Sequence, residues 1–256
     1  MHIDLSIDCQ SLLVNHKGYG AENSSEIKTL IIGNESGIGD ALNVEEYIKH
    51  LRGEECIKKP IVKDLAIRSP FIQFISRITR ALEGKNGKWF APKNSCDVWD
   101  EIVQGPFFSE SAYLVDIRPL PRPNESGWHY SNIDRKNYEK GFRTFQSKDP
   151  IIQNLIDGRL TSLRNQISEF RHLKYIIAPG DANMKVRFLQ SLFPEIAFEP
   201  IMVSTSKKTM TYYRAVLKKQ EDSTIIFVTP FFDSKNGIGY EGLESLYNLI
   251  NESARQ

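Results

Sequence analysis

The stretch TLIIGNESGIGD, residues 29–40, joins a short apolar run to a glycine-rich segment. A run of Leu and Ile this short, ended by glycine, is typical of a strand buried on both faces. Three more such runs occupy residues 112–117, 175–178 and 224–228. Together with residues 29–33 they predict four buried parallel strands that are spaced through the whole chain.

Amphipathic stretches lie between these runs. Apolar residues recur at three- and four-residue intervals, as on one face of a helix, within residues 70–82, 151–170, 182–193 and 239–250. Alternation of strand and helix implies an open parallel sheet covered by helices. We therefore predict a single three-layer α/β domain over residues 1–256, with a central, mostly parallel four-stranded sheet flanked by helices.

Two segments do not follow this alternation. Residues 118–149 are rich in Pro, Asn, Ser and charge, which predicts a long loop after the second strand. Residues 205–220 allow two interpretations. Their Thr and Tyr content favours a strand, but a basic helix or hairpin fits as well.

Composition limits the kind of partner. Lys and Arg total 33 against 32 Asp and Glu, so any contact with DNA has to use a local basic patch. The cysteines, Cys9, Cys56 and Cys96, lack the paired spacing of a zinc or iron–sulfur site. No run approaches the ~20 apolar residues of a membrane helix. We expect a cytoplasmic monomer that needs no metal or cofactor and does not enter a membrane.

The segment after the first strand carries the first candidate site. Gly33 and Gly37 flank Asn34, Glu35 and Ser36, and glycines let the main chain turn tightly and approach a ligand. The segment has neither the Lys of a P-loop nor the dinucleotide spacing, and a purely structural turn remains an alternative. It resembles the turn after the first strand of uracil-DNA glycosylases, which carries their water-activating residue.

This resemblance implies that Glu35, with Asn34 beside it, activates a water. A carboxylate at this position can orient the water and stabilise an oxocarbenium-like sugar. The alternative is a capping or solvated acid.

A second resemblance lies in GKWFAPKN, residues 87–94, followed by Trp99. It is similar to a segment of the mismatch-specific branch of the family, in which a Phe stacks on the flipped base. The resemblance implies that Phe90 stacks on the base and that Asn94 lines the same pocket, since an extruded base has lost its stacking neighbours. The alternative is ordinary aromatic core, to which we assign Trp99. Residues 87–94 follow the first turn at a greater distance along the chain than the similar segment does in that branch, which implies a helical insertion near residues 44–86.

The end of the second strand, YLVDIRPLP at residues 113–121, has Asp116 where the family has an Asn that reads the pyrimidine edge. An amide donates and accepts, whereas an ionised carboxylate only accepts. Asp116 therefore suits the amino group of cytosine, or of a modified cytosine, better than uracil. The alternative is an Asp paired with Arg118 or capping the turn.

The run from Thr229 through Pro230 and Phe231 to Phe232 follows the last strand, where the family has His-Pro-Ser or Asn-Pro-Ser. The resemblance implies that Thr229 lies near the sugar or the base O2, with Pro230 and Phe231 lining the pocket. The His that stabilises the departing base is absent, so its role passes to Thr229 or to main-chain amides, or is lost.

The loop over residues 232–238 is expected to enter the duplex, with Phe232 or Ile238 filling the gap left by the base. A plain surface hairpin is the alternative. Asp181 is predicted to cap a helix. The candidate phosphate-binding lysines are Lys207, Lys208, Lys218, Lys219 and Lys235.

The motifs are each degenerate, but they occur in the family's order. They predict a monofunctional DNA glycosylase that hydrolyses the N-glycosidic bond of a flipped pyrimidine. A modified cytosine is the favoured base, as in phage-defence glycosylases, rather than plain uracil as in DNA repair. The alternatives are a DNA-binding protein of the same fold with weak or no catalysis, and a hydrolase with Ser36 as nucleophile, which requires a His near Ser36.

Overall fold

A seven-stranded sheet forms the centre of the protein in a computed structural model. The structure describes residues 5–16, 18–21, 23–37, 69–104, 111–122, 128, 130–218, 222–233, 235 and 237–255. The strands are β1 (Tyr19–Gly20), β2 (Thr29–Gly37), β3 (Ala112–Arg122), β4 (Tyr175–Pro179), β5 (Glu199–Ser204), β6 (Thr209–Lys218) and β7 (Ser223–Thr229). Their order across the sheet is β1-β3-β2-β4-β7-β6-β5.

The four predicted strands are confirmed as β2, β3, β4 and β7, which are adjacent and parallel. The predicted number of four is wrong for the whole sheet, because β1 pairs antiparallel with β3 and the β5–β6 hairpin pairs antiparallel with β7. Residues 205–220, which the sequence left open, contain the hairpin turn and β6. β5 is the last strand on its side, and Pro200 and Met202 are exposed there.

Helices cover both faces of the sheet. They are α1 (Ile7–Val14), α2 (Pro70–Leu82), α3 (Trp99–Gln104), α4 (Arg135–Thr144), α5 (Pro150–Ser168), α6 (Ala182–Leu192) and α7 (Gly239–Ser253). Leu30 and Ile32 of β2 pack with α1, α4, α5 and α6, whereas Ile31 packs with α2 and α7. This alternation follows from the two-residue period of a strand and confirms the three layers.

Local sequence sets the helix starts. Ser69 Oγ accepts a hydrogen bond from the Ile72 N–H ahead of α2, and Asp149 does the same for the first turn of α5. Asp181 accepts from the Met184 N–H, which confirms it as the cap of α6.

Two predicted segments differ in extent from the structure. The long loop predicted at 118–149 is shorter, because β3 continues to Arg122 and α4 lies within the same range. The insertion predicted near 44–86 falls mostly outside the described residues, and its described part contains α2. Among the described residues, Cys9 and Cys96 are thiols and are not joined in a disulfide. Within the described ranges, no helix combines the length and the apolar character needed to cross a membrane.

The strand order locates a crevice. From β2 the chain goes on to β3 on one side, and from β4 the next parallel strand is β7 on the other. Ligands of open α/β sheets bind outside the carboxyl ends of two such strands, where the order reverses. The junction between β2 and β4 is therefore the place where the fold favours a ligand site.

Candidate functional site at the β2–β4 crevice

The ends of β2 and β4 separate at this junction. Pairing between the two strands covers Thr29 to Ile31 only, whereas pairing of β2 with β3 continues to Gly37. β4 meanwhile stays paired with β7 up to Pro179 and Thr229. The gap that opens after Ile31 is called the β2–β4 crevice below.

A buried lysine closes the base of the crevice. Nζ of Lys185, on α6, donates hydrogen bonds of 2.6 Å to the carbonyl oxygens of both Ile32 and Gly33. The side chain is fully buried, and burial lowers the pKa of the Lys185 ammonium to about 7. The charges of Asp116 and Asp181 oppose this lowering, and that of Arg118 adds to it.

Asn34 and Gly180 line the crevice above Lys185. Gly180 has a φ of +129°, and a Cβ there would lie 3.5 Å from Asn34 Oδ1 and 3.6 Å from Lys185 Cε. The Gly180 N–H donates to the Thr229 carbonyl, which fixes the turn. Asn34 Oδ1 is buried and accepts no hydrogen bond from the described residues. Because buried polar atoms are nearly always bonded, this oxygen is suited to a donor on a water or a ligand.

Asp116 lies beside the crevice on β3, opposite Gly33 in register. Its carboxylate covers the Cα of Gly33, where a Cβ would overlap Oδ1, so this close approach requires the glycine. The side chain is only 8% exposed. Its main-chain oxygen accepts from Nε and Nη2 of Arg159, which is buried on α5. The structure thus places Asp116 against Gly33, and Asn34 beside Gly180 and Lys185, at the same level of two neighbouring strands.

Glu35, Ser36 and Gly37 continue β2 instead of forming a free turn. The main chain of Glu35 pairs opposite Arg118, and that of Gly37 opposite Arg122, with an irregularity in register between them. The predicted end of the strand at Gly33 was therefore too early. The alternative hydrolase requires a His near Ser36. His172 lies just before β4, at the amino end of the sheet and so at the opposite end from Ser36. His16 contacts Arg159 through its carbonyl.

Thr229 is buried at the end of β7, and its Oγ1 donates to the carbonyl of Pro230 at 3.0 Å. The one hydroxyl hydrogen is thereby engaged. A direct donor role toward a departing base would require this bond to break.

The loop after Thr229 differs from the expected wedge. Phe232 and Ile238 are buried at 0% and 2% exposure, and Phe232 packs against Phe71 and Phe74. Neither can enter a duplex in this conformation, because each fills the core under α2 and α7. Phe231 is 46% exposed instead, and its ring stacks on Phe71 with centroids 5.4 Å apart.

Phe90 lies away from this group. Glu83, just after α2, accepts hydrogen bonds from Ser111, immediately before β3, so the segment that follows lies toward the amino end of the sheet. The Phe90 ring packs on Tyr247 of α7 at 5.4 Å, and the neighbouring carbonyls of Trp89 and Ala91 bind Arg77. Asn94 is exposed in a short 3-10 turn over Lys93–Ser95. The structure therefore does not place Phe90 and Asn94 with Asn34 and Asp116.

Three of the candidate lysines share the carboxyl edge. Lys207 and Lys208 are exposed in the β5–β6 turn, and Lys235 is exposed in the loop after β7. Both the N–H and the hydroxyl of Ser206 donate to Glu241 in the first turn of α7, and these bonds lower the pKa of the Glu241 carboxyl. Lys218 pairs with Ser223 at the amino end of β7, on the opposite side, and Lys219 is outside the described residues.

Sequence reasoning missed the buried cations. Lys185 falls on the apolar face of α6, three, four and seven residues before Phe188, Leu189 and Leu192. Arg159 occupies the equivalent position on α5, between Leu155 and Leu163. A cation at a core position of an amphipathic helix is the signal that would have found both.

No protein-family model, curated protein or solved structure matches this chain. The function is therefore inferred from the crevice and the residues around it.

Proposed function

We propose that the protein is a monofunctional DNA glycosylase that hydrolyses the N-glycosidic bond of a flipped pyrimidine. The observation that carries the proposal is the buried Oδ1 of Asn34, without a partner among the described residues, at the crevice where the strand order reverses. Asp116 lies one strand away, and Glu35 follows Asn34 directly in the chain. An amide acceptor on β2, a carboxylate on β3 and an acidic residue next to that acceptor in the chain are the kinds of group that water activation and base recognition need.

The reaction uses these groups in sequence. Asn34 Oδ1 accepts a hydrogen bond from a water, and Glu35 takes the water's proton as its oxygen bonds to C1′ of the sugar. The bond from C1′ to the base nitrogen breaks, and the base leaves with the bonding electron pair. A negative carboxylate also stabilises the positive charge that develops on the sugar.

Base preference follows from Asp116. A carboxylate over Gly33 accepts hydrogen bonds, so it matches the exocyclic amino group of cytosine and opposes O4 of uracil. We propose a modified cytosine as the substrate, in the manner of a defence against phage DNA.

The DNA backbone would be held by the exposed cations of the same edge. Lys207, Lys208 and Lys235 lie around the end of β7, and the exposed ring of Phe231 lies beside them. Lysines of this kind bind phosphates without reading sequence, which suits an enzyme that searches for one base.

The test is release of a base from defined DNA. The protein is incubated with oligonucleotides that carry uracil, cytosine, mismatched thymine or phage-type modified cytosines, and abasic sites are detected by alkaline cleavage. We expect cleavage on at least one modified cytosine, and a loss of about 100-fold or more in Glu35→Gln with unchanged folding and DNA binding. Base release that is absent from every substrate, or equal in wild type and Glu35→Gln, would contradict the assignment.

A DNA-binding role without base release is the second candidate. It is favoured by the Thr229 hydroxyl, which already donates to Pro230, and by Phe90, which packs on Tyr247. Retained affinity for modified DNA in a gel-shift assay, together with no abasic product, would identify this role.

A further inference from the structure

We propose that Lys185 is a positioning residue of the candidate site, which holds the end of β2, and with it Asn34 and Glu35, beside the crevice. Its effect on activity rests on the proposed function. Its effect on the main chain of β2 does not, so the two can be tested apart.

The geometry that supports this inference is a change of partner along β2. After Ile31 the strand loses β4, and the next two carbonyls, those of Ile32 and Gly33, bind Lys185 Nζ at 2.6 Å. One amine thus takes the place of the missing strand contact immediately before Asn34. α6 is itself fixed by its Asp181 cap and by the buried side chain of Phe188.

The charges around Lys185 make this contact sensitive to pH. Asp116 and Asp181 favour the ammonium, Arg118 disfavours it, and burial is the largest influence, so that the pKa of Lys185 lies at about 7. Opening of the end of β2 would return Lys185 to water and to its ordinary pKa of 10.5, so the closed arrangement binds fewer protons than the open one between about pH 7 and 10.5. The end of β2 is therefore held more firmly above pH 7 than below it.

A structural role alone does not account for a lysine here. A buried ammonium loses its hydration, and a water or a neutral donor could bind the same two carbonyls at a lower cost. Buried groups with strongly shifted pKa values concentrate at functional sites. Lys185 lies at such a point: its Cε is 3.6 Å from the position that a Cβ on Gly180 would occupy.

The first experiment measures hydrogen exchange of the main-chain amides at residues 34–37. In Lys185→Met we expect protection to fall by about tenfold at about pH 8.5 and by less at about pH 6. Arg187→Met is the matched control, because it removes an exposed cation from the same helix. Wild-type protection at 34–37, compared with that at 175–179 at both pH values, gives the same answer without a variant if Lys185→Met does not fold.

The second experiment measures single-turnover base release from the oligonucleotide that the test of the proposed function identifies as a substrate. The wild-type rate should rise as pH rises above 7, and Lys185→Met should be about 100-fold slower at about pH 8.5 without that rise. The two curves should approach each other below about pH 7, whereas Arg187→Met should follow the wild type.

The outcomes separate the two proposals. Altered exchange with no base release by the wild type would support Lys185 and overturn the glycosylase. Base release by the wild type, with exchange and pH profile unchanged in Lys185→Met, would support the glycosylase and overturn the role of Lys185.

Discussion

β3 and β2 are each held within the strand, at the level of Asp116 and Gly33, by a buried cation that comes from a helix on the same face of the sheet. Arg159 of α5 donates to the carbonyls of Asp116, Val14 and His16, and Lys185 of α6 donates to those of Ile32 and Gly33. A guanidinium keeps its proton under all conditions in which proteins fold, whereas an ammonium in this setting does not. The strand that carries Asp116 is thus held permanently, and the strand that carries Asn34 is held by a group that titrates.

The largest expected effect comes from Arg159→Met. The change removes the guanidinium that donates to three carbonyls, of which those of Asp116 and Val14 are buried, and a lost bond of this kind costs about 1–3 kcal/mol, so we expect the free energy of unfolding to fall by about 3 kcal/mol. Urea denaturation, with Arg187→Met as control, measures it. A loss below about 1 kcal/mol would mean that the end of β3 does not depend on Arg159.

Gly180→Ala should affect the β2 side alone. Its φ of +129° is strained for alanine, and its Cβ would enter the space between Asn34 and Lys185. We expect a loss of about 1–3 kcal/mol in unfolding free energy and a clear fall in base release. Hydrogen exchange at 112–117 should stay as in the wild type; exposure of β3 as well would show that the two strand ends are not held independently.

Lys185→Met should change how stability depends on pH. Folding lowers the pKa of this lysine from 10.5 to about 7, so the native state binds fewer protons than the unfolded state between those values. The wild type therefore gains stability from this group as pH rises from about 7 toward 10.5, and loses it as pH falls back through that range. In the variant this gain is absent, so its deficit relative to the wild type should be larger at about pH 9 than at about pH 6 by urea denaturation. A deficit that does not vary with pH would mean that Lys185 does not titrate.

The smallest expected effect on the two strand ends is that of Asp116→Asn, which keeps the carbonyl that binds Arg159. It removes a charge that raises the pKa of Lys185, so the rise in base release should begin at lower pH, by less than about one unit. An amide also restores a donor for uracil O4, and relative activity should move from cytosine-type bases toward uracil. Equal loss on paired substrates that differ only in the base would make Asp116 structural.

The parallel strands and four of the helices that cover them, α2, α5, α6 and α7, could be read from the sequence, because apolar runs and helical periodicity are local signals. The β5–β6 hairpin could not, because its alternating side chains fit a strand only once β7 is beside it. The same limit explains the loop after Thr229: the tertiary packing of Phe71 and Phe74, not the local sequence, decides that Phe232 is buried and Phe231 exposed.

The candidate site was predictable in one respect. Asn34 and Asp116 both follow apolar runs, and the carboxyl ends of adjacent parallel strands meet at one edge. The position of Phe90 depended instead on the path of α2, and the contacts of Lys185 depended on where β2 and β4 separate. Neither the position of Phe90 nor the contacts of Lys185 can be predicted from the few residues around each of them.

The outer edge of the sheet bears on how the chain behaves at high concentration. A free edge strand is a template on which a second molecule can extend the sheet, and natural proteins interrupt such edges. β5 carries Pro200, which has no N–H to donate, next to the exposed Glu199, which is paired with Arg214 across the hairpin. An incoming strand would meet a gap in its hydrogen bonds and a charge at the same point. Edge-to-edge aggregation through β5 is thereby disfavoured, although Met202 exposes an apolar side chain on that strand.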